Sequence, residues 1–119
     1  ASLYNPPLSS DEGLYRVEVR TKYYYRRNRA SDGTTDWDGE LAVAIQGDSV
    51  WVDMALFNDA GGDIGFSAFG QMADSRFDFV SADGKRRLTG RLRNGVLVAE
   101  WIDQRDGDSF RGTLVAERF

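Results

Sequence analysis

Acid–base chemistry in this chain would have to come from carboxylates, because its 119 residues include neither histidine nor cysteine. That absence removes imidazole acids, bases and ligands, thiol nucleophiles, disulfides and thiolate metal sites. Two acidic groupings stand out: Asp36 and Asp38 flank Trp37, and Asp103, Asp106 and Asp108 crowd the run DQRDGDSF. Two carboxyl groups held several ångströms apart are the apparatus of glycoside hydrolysis, and an aspartate-rich turn is a source of calcium ligands. The calcium spacing fails. Counting back from Gly107 puts Ile102 and Gln104 where the first ligands belong, and no glutamate closes the loop. Aspartate beside glycine is ordinary turn chemistry, and serine has no histidine or well-placed lysine to activate it. The expectation is a non-enzyme with no catalytic residues, no metal and no cofactor.

A second chemical grouping is Tyr23-Tyr24-Tyr25-Arg26-Arg27-Asn28-Arg29. Rings beside guanidinium groups can stack on planar ligands and grip anions. Arg26, Arg27 and Arg29 are candidates for contact with an acidic protein patch or a small anion, set against the plainer reading of a strand end running into a solvated loop. Nucleic acid is disfavoured, because the net charge is −4 and a phosphate backbone rewards a wide basic footprint.

These residues need a scaffold, and the hydropathy pattern supplies one. Hydrophobic residues make up 41% of the chain and charged residues 29%, a composition that suits one folded domain. Residues 1–13 hold both prolines and no clear period, and read as an irregular arm whose Leu3, Tyr4 and Leu8 could dock on the body. Residues 14–119 form a single domain. Leu14 to Arg27 alternates, with Tyr15, Val17, Val19, Thr21, Tyr23 and Tyr25 on one side, and a loop over Arg27 to Thr34 follows.

Across Gly47-Asp48 a two-residue hairpin pairs residues whose numbers sum to 95, setting Leu41 against Met54 and Val43 against Val52. Asp83-Gly84 pairs Phe79 with Leu88, and Asn94-Gly95 pairs Leu92 with Leu97 and Leu88 with Trp101. Both turns put Leu88, Gly90 and Leu92 on one apolar face, so the two registers support each other. With strands over Ile64 to Met72, Arg76 to Ala82 and Ser109 to Phe119, the chain reads as all-β. The pattern predicts an eight-stranded antiparallel up-and-down meander closed into a barrel, with a two-sheet sandwich as the alternative.

From Leu14 to Phe119 this plan resembles the calycins: lipocalins, fatty-acid-binding proteins and avidins. Lipocalins carry Gly-x-Trp on their first strand; here the nearest element is Trp37-Asp38-Gly39, in reverse order and on the second strand. The resemblance implies a barrel and a ligand-binding habit, and transfers no site residue.

Three functions fit that scaffold. The first is a non-catalytic binding module that meets a protein partner or a second copy of itself through an outer wall carrying Trp51, Phe57, Phe69, Val96, Val98 and Ile102. The second is a carrier of a small apolar ligand inside the barrel, lined by Tyr15, Thr21, Tyr23, Tyr25, Met54, Phe66, Phe77, Phe79 and Trp101. The third is a carboxylate enzyme. No apolar run approaches the roughly 18 residues of a membrane helix. The start at Ala1-Ser2, without methionine, fits either a processed product or a domain cut from a longer chain; a secreted or periplasmic location after signal removal is one expectation, and composition selects none.

Overall fold

The computed structural model describes residues 11–25 and 29–119. Eight strands follow one another: β1 (Gly13–Tyr25), β2 (Arg29–Gln46), β3 (Ser49–Phe57), β4 (Asp63–Gln71), β5 (Arg76–Val80), β6 (Arg86–Arg93), β7 (Val96–Arg105) and β8 (Asp108–Arg118). They form one antiparallel sheet in the order β4-β3-β2-β1-β8-β7-β6-β5, so the first and last strands pair. The sheet curls into a nearly closed barrel, and a single eight-stranded sheet leaves no place for the two-sheet sandwich. Among the described residues, the one ladder missing from a closed ring is between β4 and β5.

Turn chemistry sets the registers. Gly47 has φ +65°, which suits a II′ turn with glycine first. Asn94 and Gly95, at +55° and +75°, make the I′ geometry that matches strand twist. The resulting pairs include Val43 with Val52, Phe79 with Leu88, and Leu92 with Leu97, as the alternation demands. One alternating set fills the interior: Tyr15, Leu41, Met54, Leu56, Phe66, Phe79, Leu88, Leu97, Trp101 and Leu114 are all buried. Glycine permits the tight coiling at Gly90, where a Cβ would lie 2.1 Å from the Val98 carbonyl oxygen.

One boundary differs from the sequence reading. The loop expected over Arg27 to Thr34 is largely strand, because β2 begins at Arg29 and pairs Arg29 with Tyr25 and Ala30 with Tyr24. Asp32-Gly33 forms no loop. It lies in a bulge between the Lys22–Thr34 and Tyr24–Ala30 pairs, where the Ser31 hydroxyl accepts from Tyr23 N–H and donates to the Gly33 carbonyl. At the other end, Asp11 and Glu12 are tied down ahead of β1. Asp11 Oδ1 accepts the Gly95 N–H at 3.0 Å and Glu12 Oε1 accepts the Ile45 N–H at 2.9 Å. The docking expected of Leu3, Tyr4 and Leu8 lies outside the described residues.

Candidate functional site

Wherever strands alternate, each site residue's face follows from its parity. Trp51 on β3 stands directly opposite Phe69 on β4, and their ring centroids are 4.9 Å apart. Both point outward, with 43% and 59% of their surface exposed. They border a groove of about 650 Å³ that crosses from β2 to the end of β5, floored by Ala42, Ala44 and Ser67 and reaching Val80 and Ala82. Among the described residues Asp53 is the only charged one lining it, and it accepts a hydrogen bond from Ser67 Oγ at 3.0 Å.

The other outer-wall candidates do not join this groove. Val98 faces Val115 across β7 and β8, with Val96 beside them, and Phe57 sits between Asp38 and Asp63 on neighbouring strands. Ile102 is only half-buried, between Arg87 and Arg111 on the flanking strands. Val80 and Val115 are exposed members that the sequence reading omitted, though both follow from the parity of their strands.

The interior candidates divide into three groups. Met54, Phe66, Phe77, Phe79 and Trp101 are packed in the core, and Trp101 has no exposed surface at all. A void large enough for water would leave accessible surface on its walls, so the space around Trp101 is filled. Its ring meets Phe66 edge-on at 5.3 Å. Tyr15 lies at the opposite end from its fellow tyrosines, and its hydroxyl donates to the Asp11 carbonyl at 2.6 Å. Burial, with the Asp11 charge adding to it, pushes its pKa up to about 12.

Thr21, Tyr23 and Tyr25 gather at the other mouth. Thr21 Oγ1 donates to the Thr35 carbonyl and accepts from Trp37 Nε1 at 3.2 Å. The Tyr23 hydroxyl donates to the Asp108 carboxylate, which raises the tyrosine pKa chiefly through that hydrogen bond. Tyr23 also packs on Phe110 at 4.9 Å and stacks with Tyr25 at 6.2 Å. Trp37 is buried here, edge-on to Phe110 at 6.1 Å. Its inward direction follows from the parity of Gly39 and Leu41.

The acidic groupings dissolve in three dimensions. Asp36 and Asp38 share the outer face, and Asp36 Oδ1 accepts from Arg20 Nε at 2.7 Å. The Arg20 guanidinium holds the Asp36 carboxyl below the usual range. Asp103 is no turn residue. It continues the inward parity of Leu97, Ala99 and Trp101, and its side chain is only 2% exposed. Two cations neutralise it: Arg86 Nε at 3.2 Å, and Arg105 through Nη2 at 3.0 Å. Asp106 is exposed in the β7–β8 turn and Asp108 belongs to Tyr23. Among the described residues no group of three or more acidic side chains could hold a metal ion.

The arginine grouping is only partly visible. Arg26 and Arg27 lie outside the described residues, and Arg29 is exposed at the start of β2. Elsewhere, Arg105 lies over the Phe110 ring at 5.0 Å and Arg111 over Tyr24 at 4.8 Å. Among the described residues no helix is long and apolar enough to cross a membrane.

No protein-family model matches the chain, and no curated protein matches it. Solved structures do. The siderocalin Ex-FABP, described as functioning through dual ligand specificities, superposes with a TM-score of 0.57 at 12% identity, over 93% of this chain and 75% of that one. The monomer form of the M. tuberculosis PknI sensor domain gives a TM-score of 0.49 at 17% identity, over 90% of this chain and 85% of that one. The siderocalin likeness is one of fold: the protein has the calycin-like barrel architecture expected from its strand plan.

Proposed function

We propose that this barrel is a non-catalytic binding module that engages a protein partner, or a second copy of itself, through its outer wall at the Trp51–Phe69 groove. One observation carries the reading: two large aromatic side chains lie together on the solvent side of a sheet and border a groove lined mainly by small and apolar residues. Covering a large apolar side chain contributes about 2–3 kcal/mol by area, and a contiguous apolar patch of this kind marks a surface that meets another molecule.

The chemistry elsewhere supports a non-catalytic role. Every carboxylate with a displaced pKa among the described residues, namely Asp36, Asp78 and Asp83, is displaced downward by hydrogen bonds. A general acid working near neutrality needs the opposite displacement. The packed interior and the engaged hydroxyls of Thr21 and Tyr23 also favour an external site over an internal one.

A second reading, a carrier of a small apolar molecule, rests on Trp101 Nε1. That donor is buried inside the barrel with no hydrogen-bond partner among the described residues, so an acceptor on a ligand that displaced the core side chains packed around it would satisfy it. Native mass spectrometry of the protein purified from its own source separates the two. The outer-wall reading predicts a mass raised by a protein partner or a second copy, lost in a Trp51→Glu, Phe69→Glu variant that still folds. A bare monomer mass, or a complex that persists in that variant, would overturn it. A small-molecule increment on the monomer would favour the carrier.

A further inference from the structure

The interruption between β4 and β5 is a row of backbone groups as well as a gap. The Met72 N–H donates to the Asp48 carbonyl at 2.9 Å, and antiparallel alternation then turns the even-numbered residues of β4 toward β3. Gly65, Ser67, Phe69 and Gln71 therefore direct their N–H and C=O groups away from β3, into the gap. The Gly65 carbonyl confirms the direction, since Arg86 reaches across from β6 to donate to it at 2.6 Å.

On the facing strand, Ser81 N–H donates to Arg86 O and Leu92 N–H donates to Ser75 O, both at 2.9 Å. These bonds commit the odd-numbered residues of β5 to β6 and turn Arg76, Asp78 and Val80 toward the gap. Arg76 is used: it exchanges both backbone bonds with Ala73, across a turn in which Asp74 and Ser75 have φ of +52° and +64°. The hairpin starts and then parts, so no ladder joins Gln71 to Asp78 or Phe69 to Val80. A sheet edge of this kind is a template for another extended chain.

From this geometry we infer that the partner contributes an extended segment that adds to the edge of β4 as an antiparallel strand, pairing with Ser67, Phe69 and Gln71. The inference rests on the outer-wall reading and specifies its occupant. Strand addition places alternate side chains of the segment on the outer wall beside Phe69 and Trp51, in the groove already described. Apolar side chains suit that floor. A lysine or arginine two residues along meets Asp53, which has no ion-pair partner among the described residues. The intervening side chains point inward, where the Phe79 ring closes so tightly on Gly70 that a Cβ there would lie 2.9 Å from it. Those positions therefore take small residues. The recognised sequence alternates large apolar or basic residues with alanine, serine or glycine.

The test uses the full chain, isotopically labelled, and a blocked peptide alternating leucine or lysine with alanine. A second peptide of the same sequence carries N-methyl groups on the amides that would face β4. Strand addition predicts that the first peptide slows amide exchange at Ser67, Phe69 and Gln71 by about tenfold or more, with little change at Phe66 and Ala68. It also predicts at least about tenfold weaker binding by the methylated peptide, the equivalent of losing one or two backbone hydrogen bonds. Equal binding of both peptides around Trp51 overturns strand addition and leaves the outer-wall reading standing. No binding of either at about 1 mM, the weak limit for recognition, also overturns it, and the native-mass comparison then decides the wall separately. Protection that grows with protein concentration alone makes a second copy the occupant and overturns the assignment of a foreign segment.

Discussion

Replacing Trp101 and Trp51 separately with alanine tests the division between an interior that holds the fold and a wall that meets other molecules. Trp101 is fully buried, edge-on to Phe66 and opposite Leu88 and Gly112 on its neighbouring strands. Its truncation removes a large apolar surface and leaves a void between rigid strands, which costs about 3–5 kcal/mol. For a domain of this size that is a fall in melting temperature of about 10–20 °C. Trp51 is 43% exposed, and its main partner is the Phe69 ring across the strand pair. A cross-strand aromatic pair contributes about 1 kcal/mol relative to alanine. The assay is urea unfolding followed by far-ultraviolet circular dichroism at low protein concentration, so that association adds nothing, with the slope required to stay constant. A difference between the variants of about 2 kcal/mol or more is the expected result. A cost below about 1 kcal/mol at Trp101, or equal costs at the two positions, would refute the reasoning, because core truncations rarely cost so little.

Three further outcomes follow from the same geometry. Gly90→Ala should cost about 3 kcal/mol or more in urea unfolding, because the new Cβ meets backbone that cannot rotate away, whereas Gly33→Ala, with nothing within 4 Å, should stay within about 0.5 kcal/mol. Asp103→Asn leaves Arg86 and Arg105 facing a neutral amide; because those cations are 30% and 47% exposed, the expected loss is about 1–3 kcal/mol, less than for a fully buried pair, and wild-type stability in the variant would contradict the buried clamp. Tyr15 has its pKa raised from 10.0 to about 12 in the folded state, so its contribution is intact below pH 10 and lost as pH rises from there through 12. Urea melts between about pH 9 and 12 should slope downward in the wild type and less steeply in Tyr15→Phe; identical slopes would contradict the assignment.

The registers were legible because the two-residue turns at Gly47-Asp48 and Asn94-Gly95 admit few backbone geometries, and a one-residue slip would have carried Leu88 and Leu92 to solvent. Legibility failed where composition and parity disagreed. Asp103 sits in a run of aspartates and glycine that reads as a turn, yet the alternation from Leu97 through Trp101 carries it inside, where two arginines make its burial tolerable. Trp37 was inward by the same count. The bulge over Ser31 to Gly33 was hidden because Asp32-Gly33 is a turn signature wherever it occurs, and only pairing with Tyr24 and Tyr25 reveals the strand continuing past it. The gap between β4 and β5 had no local signal, since whether two strands stay together depends on how the whole sheet closes. The Trp51–Phe69 pair was half legible: both were placed outside, but their separation from Val96 and Val98 depends on barrel curvature.

Hydroxyl-radical footprinting, on the isolated barrel and on the complex recovered from its source, tests the claim that the outer wall binds and the interior supports. The account predicts that Trp51 and Phe69 are labelled in the isolated protein and shielded in the complex, while Trp37 and Trp101 stay unlabelled in both. Labelling of Trp51 and Phe69 that is the same in the complex as in the isolated barrel would contradict it.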